Sequence, residues 1–474
     1  MIDTKALRSR ILDLAIQGKL TEQLESDGTA EELYQQIKKE HNKALSSIKS
    51  EDIPFLIPNN WKWVRLGEIA SILGGKRIPA GRNLTSENTG HKYIRVSDMK
   101  NMSVETSNLL FVPEDIYPSI SRYIINKEDV YITVAGTIGK VGTIPDEIDG
   151  ANLTENADRL VFKFLDKKWL VFSLLSNTVQ KQISFLTTQV AQPKLAIKKI
   201  QEFILPLPPL AEQKRIVACV EEIFRLLDTI DAAQEQYSAD AESLKAKLIT
   251  AGIQGKLTEQ LESDGTAEEL YQQIQAEKQR LIKEGKIKKE KTLPEITPDE
   301  IPFDIPENWK WVRLKSLGQF SSGKTPSMSE PAFWNGSIAW VSSKDMKKTI
   351  ITDSEMHITE LAAEDMKIHP AGTLLLVARS GILRHSLPLC VLGVDSTINQ
   401  DIKAFSLHDL SLSKWVYYAL KGLEPLILKE YVKAMTTVES LKFEEFSSMP
   451  IPLPPLAEQK RIADKLDEVL GAIG

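Results

Sequence analysis

Cysteine is nearly absent: in 474 residues only Cys219 and Cys390 occur, one in a tract with heptad spacing and one in a strand-like run. Both are expected to be reduced and buried, which leaves no disulfide framework and no cysteine metal site to organise the fold. The six histidines are scattered without metal-ligand spacing. No apolar run approaches the ~20 residues of a membrane span, and the N-terminal MIDTKALRSRILDLAIQGKL is amphipathic, with no secretory core or cleavage site. A cytoplasmic protein with no membrane association is therefore expected. A net positive charge is also lacking, since 59 Lys and Arg are outnumbered by 65 Asp and Glu, giving a net charge of -6 and a pI near 5.8. That argues against a nucleic-acid binder acting unaided, so any phosphate grip must come from locally clustered Lys and Arg or from partner subunits. There is no Asn/Asp-Pro-Pro-aromatic motif to hold a flipped base and no glycine-rich loop after an N-terminal strand for a methyl donor. No carboxylate and Lys arrangement of a nuclease stands out.

What the chain does contain, it contains twice. Ile16 to Ile37, IQGKLTEQLESDGTAEELYQQI, returns letter for letter at Ile253 to Ile274; NWKWVRL occurs at Asn60 to Leu66 and Asn308 to Leu314; PLPPLAEQKRI occurs at Pro206 to Ile216 and Pro452 to Ile462. Between these anchors, segments 67–204 and 315–450 are alike in length and mostly different in sequence. Two frames are kept and two inserts diverge, which points to recognition by two unlike heads on one support before it points to catalysis. The length suits two similar globular domains. The boundaries expected are a helical segment at 1–50, a first insert domain at 51–205, a central helical region at 206–295, a second insert domain at 296–451 and a helical segment at 452–474.

From Ala211 the positions Ile216, Val220, Ile223, Leu227, Ile230, Gln234, Tyr237, Ala241, Leu244 and Leu248 alternate spacings of four and three, the signature of a coiled-coil seam with one polar position at Gln234. Pro206, Pro208 and Pro209 should stop a strand and start this helix near Leu210 or Ala211. A second copy is split between the chain ends, since Ile462, Leu466, Val469 and Ile473 match its first four seam positions and Leu7 and Ile11 match Leu244 and Leu248. The C-terminal part stops at Gly474, early by comparison with the central copy. The chain thus reads as a nearly closed, pseudo-twofold circle whose two long helices would run antiparallel.

Each insert alternates short β-branched runs with Gly, Pro and Asn turns, as at Lys92 to Val96, Val130 to Val134, Ile338 to Val341 and Thr373 to Val377, and so reads as a small α/β domain. VSDMK at Val96 to Lys100 is like SKDMK at Ser343 to Lys347. Thr154, Asn156 and Asp158 parallel Thr397, Asn399 and Asp401 at an offset of 243. The tract 275–298 is an insertion relative to 38–50, read as helix extension and linker.

Gly318 to Thr325 satisfies the pattern G-x-x-x-x-G-K-[ST] of a phosphate-binding loop, whose backbone amides cradle phosphates at a helix N-terminus. Its continuation, Pro326-SMSEPAFWNG, is poor in helix formers, and the first copy, Ala70 to Arg77, breaks the motif at both ends. Gly75-Lys76-Arg77 and Gly323-Lys324-Thr325 read better as flexible basic turns suited to a phosphate backbone or a base edge. Asp98 and Asp345 occupy equivalent turns and read as caps rather than catalytic groups. Trp61, Trp63, Trp309 and Trp311 read as anchors of each insert to its support, and Trp334 and Trp340 as packing residues.

PLPPLAEQKRI before a heptad helix, the G-K-L-T-E and T-A-E-E-L segments after it, and two divergent inserts of about 140 residues together resemble the DNA-specificity subunit of a type I restriction-modification enzyme. The likeness covers the whole chain. The second insert, with GKTP, FWNGSIAWVSSKDM, the Ala378-Arg379-Ser380 turn and Thr397 to Asp401, resembles a widespread type of target recognition domain; the first is a fainter version, with GTIG at Gly136 to Gly139 where the other has RSGI. The resemblance implies an α+β fold of two small α/β target recognition domains in pseudo-twofold arrangement, joined by long antiparallel coiled-coil helices that set the spacer of a bipartite site in double-stranded DNA and dock modification subunits. It implies no cofactor and no catalysis in this chain: two modification (methyltransferase) subunits would hold S-adenosylmethionine, and motor-nuclease restriction subunits ATP and Mg. The DNA-contact candidates are Lys76, Arg77, Arg95, Ser97 and Asn156 in the first insert. In the second they are Lys324, Thr325, Ser342, Lys344, Arg379, Ser380 and Asn399. Two other readings stay open on the residues alone: a nucleotide hydrolase or nuclease using the 318–325 loop, and a coiled-coil protein adaptor without DNA binding.

Overall fold

In the computed structural model, which describes residues 1–473 apart from 42, 44, 188–193, 290, 291 and 434–437, the three repeated motifs meet at one buried carboxylate. Pro208 and Pro209 end the strand Ile204–Leu207, and the central helix Leu210–Ile253 begins at once. Its first turn carries Glu212, which is fully buried. The Trp61 indole Nε1 donates to Glu212 Oε2 at 2.8 Å, while Gln23 Nε2 and Thr21 Oγ1 donate to Oε1 at 2.7 and 3.2 Å. One turn on, Arg215 Nη1 reaches Asp27 Oδ1 at 2.7 Å and Nη2 reaches the Glu22 carbonyl at 3.0 Å, which holds the Asp27 carboxyl below the usual carboxylate range. The second copy repeats this around Glu458, with Trp309 at 2.9 Å, Gln260 at 2.8 Å and Arg461 on Asp264 at 2.8 Å. Beside each hub the ends of an insert pair as an antiparallel ribbon, Lys62–Arg65 with Ile204–Leu207 and Lys310–Arg313 with Pro450–Leu453. Pro206 and Pro452 stand inside these strands rather than before their ends, which a two-stranded ribbon tolerates because each strand has a free edge. The repeated DGTAEEL starts helices Ala30–Glu40 and Ala267–Lys283 with capping boxes at Thr29/Glu32 and Thr266/Glu269.

The chain divides into two compact units, Met1–Gln236 and Tyr237–Gly474. In each, one core joins frame to insert. Leu12, Trp61, Ile216 and Val220 pack with Val130, Trp169 and Leu174 in the first, and Ile253, Trp309, Ile462 and Leu466 with Leu374, Phe405 and Trp415 in the second. Within the first unit the helix Thr4–Ile16 runs antiparallel to the central helix, as Ile2 N bonds Gln234 Oε1, Arg8 Nη1 bonds the Phe224 carbonyl at 3.3 Å and Arg8 Nη2 bonds Asp231 at 2.9 Å. In the second unit Ile462 and Leu466 of the helix Leu456–Ile473 close on Gly252.

The heptad stripe is consequently buried at its ends and open in its middle. Ile216, Val220 and Leu227 are buried, and Leu248 packs on the second core, whereas Tyr237 and Leu244 are 64% and 48% exposed. The expectation of a seam sustained over four heptads is corrected to that extent, because each short partner helix covers only one end. Cys390 is buried as expected, while Cys219, on the outer part of the central helix, is only half-buried; both are free. Of the tract 275–298, residues up to Lys283 extend the helix, and 290 and 291 lie outside the described residues.

Each insert is a mixed sheet structure. The first has an antiparallel sheet ordered Ser71–Gly74, Ala157–Val161, Val130–Thr133, Val141–Thr143, and a second sheet in which Lys92–Ile94 and Ala151–Leu153 run parallel. The second insert repeats this plan, with Gly318–Ser322, Ile402–Leu407, Leu374–Val377 and Leu389–Leu392 in one sheet and Trp334–Val341 parallel to Ser396–Ile398 in another. The four runs read as strands from their β-branched content all lie in these sheets.

Replacing Glu212 with Ala leaves the buried Trp61 N–H without its acceptor and removes the carboxylate that ties Gln23 and Thr21 to the helix start. Urea titration of the full chain, followed by far-UV circular dichroism, should show the first unit destabilised by about 2–4 kcal/mol, and Glu458→Ala should do the same to the second. Losses under ~0.5 kcal/mol in both variants would show that the hub does not hold the frame.

Candidate nucleic-acid interface

Four connections of the first insert are laced together by backbone hydrogen bonds. Lys76 N, after the strand Ser71–Gly74, donates to the Leu153 carbonyl at 2.8 Å; Thr154 N donates to Ile94 at 3.1 Å; Val134 N donates to Asn156 at 2.8 Å. The second insert uses the same lacing, with Lys324 N on Ile398 at 3.0 Å, Asn399 N on Val341 at 2.9 Å and Ala378 N on Asp401 at 3.4 Å. Each cluster is tight. A Cβ at Gly75 would lie 2.0 Å from the Thr154 carbonyl oxygen, and one at Gly323 would lie 2.0 Å from that of Ile398, with neither glycine at positive φ. These glycines permit close backbone approach, so the expectation of flexible basic turns is corrected to anchored ones. The anchoring extends to side chains, since Tyr93 Oη donates to the Lys76 carbonyl at 2.9 Å and Trp340 Nε1 to the Lys324 carbonyl at 3.0 Å.

This lacing also corrects the correspondence between the inserts. Tyr93 matches Trp340 and, on the strand paired with each, Leu153 matches Ile398, so across the reading turn that follows Leu153 and Ile398 the offset is 245 rather than 243. Asn399 therefore stands where the first insert has Thr154, Gln400 where it has Glu155, and Lys403 where it has Asp158. The pairs across this turn differ in chemistry: Arg77 Nε donates to Glu155, whereas Thr325 Oγ1 donates to Gln400. Asp158 is buried with Oδ2 lacking a hydrogen-bond partner among the described residues, and desolvation pushes its carboxyl up to about 6. Lys403 at the matching place donates to Ser322 Oγ at 2.6 Å.

The predicted contact residues are brought together in these clusters, and they divide by how their side chains are engaged. Lys76, Lys324, Lys344 and Arg379 are exposed, and Lys76 Nζ lies 5.8 Å from the Tyr123 ring centroid. Ser97 is exposed, with a long 3.3 Å bond to Asp98. Arg95 is committed inside its own turn, with Nε and Nη2 on the two Asp98 oxygens at 3.0 and 2.7 Å and Nη2 also on the Asn108 carbonyl. Ser342 Oγ is held by Asp345 at 2.8 Å, and Ser380 caps the turn Gly381–Arg384. Asn156 contributes its backbone carbonyl to Val134 and Ala135, while Asn399 Oδ1 accepts from Asp401 N at 3.2 Å. Asp98 and Asp345 cap their turns, accepting from Arg95 N at 2.8 Å and Ser342 N at 2.7 Å. One residue not foreseen, Arg384, stands in the same cluster with Nε on Glu439, whose backbone carbonyl accepts from Ser380 N at 3.1 Å. Its partner is 55 residues away, too far for sequence spacing to reveal.

The phosphate-loop pattern has no matching structure. Gly318–Ser322 is a strand paired along its length with Ile402–Leu407, and the next helical turn, Pro331–Phe333, is a single 3-10 turn. A phosphate cradle requires the glycine loop to open directly into a helix, and here it does not. Among the described residues no group of three or more His, Cys, Asp or Glu could hold a metal ion, and no helix is long and apolar enough to cross a membrane.

The family described as type I restriction modification DNA specificity domain matches residues 58–236 and again 306–473. The chain is similar to the EcoAI specificity subunit of Escherichia coli, 25% identical over 98% of this chain and 89% of that one. It is also similar to the EcoR124I/EcoR124II specificity subunit of Escherichia coli, 38% identical over 34% of this chain and 40% of that one. A solved chain from a study of complex assembly and conformational transition of the type I R-M system shares the fold, with a TM-score of 0.60 at 20% identity, covering 89% of this chain and 92% of that one. Two laced loop clusters on duplicated hubs, each within a matched segment, are thus the two specificity domains of one chain, and the chain belongs to the type I restriction-modification DNA specificity family.

Proposed function

We propose that this chain is the sequence-specific DNA-recognition subunit of a type I restriction-modification complex, each insert reading one half of a bipartite, asymmetric site in double-stranded DNA. The observation that carries this reading is the repetition of one loop cluster, with the same backbone lacing and unlike side chains. Arg77 and Glu155 in the first insert correspond to Thr325 and Gln400 in the second, so two heads built on one backbone plan present different donors and acceptors. A symmetric pair would read a palindrome; this pair reads two different half-sites. The chain itself is non-catalytic. Partner modification subunits bring S-adenosylmethionine and adenine methylation, motor-nuclease subunits bring ATP, Mg and cleavage, and the complex works in the cytoplasm. The net charge of -6 supports this division, since partners would share the phosphate contacts.

Two experiments test the reading. With the modification subunits added, exchange of residues 67–204 for the insert of another such subunit should change one half of the methylated adenine site and leave the other half intact; a change in both halves or in neither overturns the two-head model. Lys324→Ala and Lys344→Ala should each weaken binding about equally across DNA sequences and flatten the dependence of log K on log salt by about 0.9. Neither substitution should alter nucleotide affinity, and loss of ATP binding by the purified Lys324→Ala chain would restore the hydrolase reading.

A further inference from the structure

Within segments 67–204 and 315–450, the arginines whose side chains have a hydrogen-bond partner are engaged in two distinct ways. Arg82, Arg122 and Arg159 each commit a terminal η nitrogen to an internal partner, and Arg95 commits both Nε and Nη2 to one carboxylate. Arg77 and Arg384 differ: each is held through Nε alone, by Glu155 and by Glu439. Each anchoring carboxylate is more enclosed than the arginine it holds, Glu439 being buried and Glu155 half-buried. The Arg77 and Arg384 side chains are 72% and 61% exposed, whereas those of Glu155 and Glu439 are 21% and 7% exposed. Glu439 is fixed further by its backbone carbonyl on Ser380 N, and Arg384 holds its carboxyl below the usual range.

A guanidinium fixed at Nε has lost most of its rotational freedom and still offers Nη1 and Nη2 as a planar two-pronged donor. That fork matches the O6 and N7 acceptors on the major-groove edge of guanine, and pre-organisation lowers the entropy lost on docking. We propose that Arg384, set by Glu439, and Arg77, set by Glu155, each read a guanine, one in each half of the recognition site. Lys324, Lys344 and Arg379, which carry no such anchor, serve phosphates. The assignment rests on the DNA-recognition reading and adds the base class and the residues.

The test is adenine-methylation mapping with the chain assembled with its modification subunits, on genomic DNA and on site libraries. Arg384→Lys keeps the charge and loses the fork. It should lower discrimination for one guanine by on the order of 5- to 150-fold in the half left unchanged when 67–204 is exchanged, with the other half intact. Arg77→Lys should do the same in the opposite half. Glu439→Gln, which keeps an acceptor for Nε without its charge, should relax the same base as Arg384→Lys, and Arg379→Ala should weaken all sites evenly. Should Glu439→Gln fail to assemble, Arg384→Lys and Arg77→Lys carry the result. Uniform weakening by Arg384→Lys, or unchanged discrimination, overturns the assignment while leaving the two-head model standing. Failure of the unmodified complex to methylate any bipartite site overturns both.

Discussion

A fully buried glutamate holds each half of this protein together. Glu212 accepts from Trp61, Gln23 and Thr21, and Glu458 accepts from Trp309 and Gln260, so that three sequence-distant motifs become one joint. A buried carboxylate with several donors is costly to leave partly satisfied, so the motifs supplying those donors cannot drift independently. The letter-for-letter repeats have a physical basis in this joint: the tryptophan, the Thr-Glu-Gln turn and the Glu-Gln-Lys-Arg helix start are all pieces of it.

Beyond the joint, the constraint passes from side chains to backbone. The reading clusters are fixed by main-chain bonds among four connections, by two glycines that admit carbonyls where a Cβ cannot fit, and by one aromatic donor to a lysine carbonyl. Tyr93 and Trp340 fill that last role with different rings. Backbone lacing leaves side chains at the rim free to vary, and this separates a stable head from a variable reading surface.

Much of this was legible in the sequence. Duplication, the central helix, the proline stop and the strand runs each carry a periodic or repeated signal, and the structure places all four. What could not be read has physical reasons. The offset between the inserts slips by two residues at the reading turn because the connections differ in length, and only strand register reveals it: Asn399 and Thr154 share a place that Asn399 and Asn156 do not. The heptad stripe opens at Tyr237 and Leu244 because burial depends on the length of partner helices as well as on spacing. Anchoring of Arg384 by Glu439, and the commitment of Arg95 to Asp98, depend on side-chain directions within turns. Of the contact candidates the clusters gather, spacing identified the loops but not which guanidinium has a free fork.

The ribbons that close the inserts also bear on how such a chain reaches its fold. Trp61 and Glu212 are separated by 151 residues and Trp309 and Glu458 by 149, so neither joint can close until its whole intervening insert has been made and brought back. Closure entropy grows only as the logarithm of loop length, and doubling an insert adds only ~0.6 kcal/mol. The joint is therefore slow to form, because its contacts are non-local, yet nearly indifferent to how much chain hangs from it. A scaffold with that property can exchange heads of unequal length while folding to the same frame.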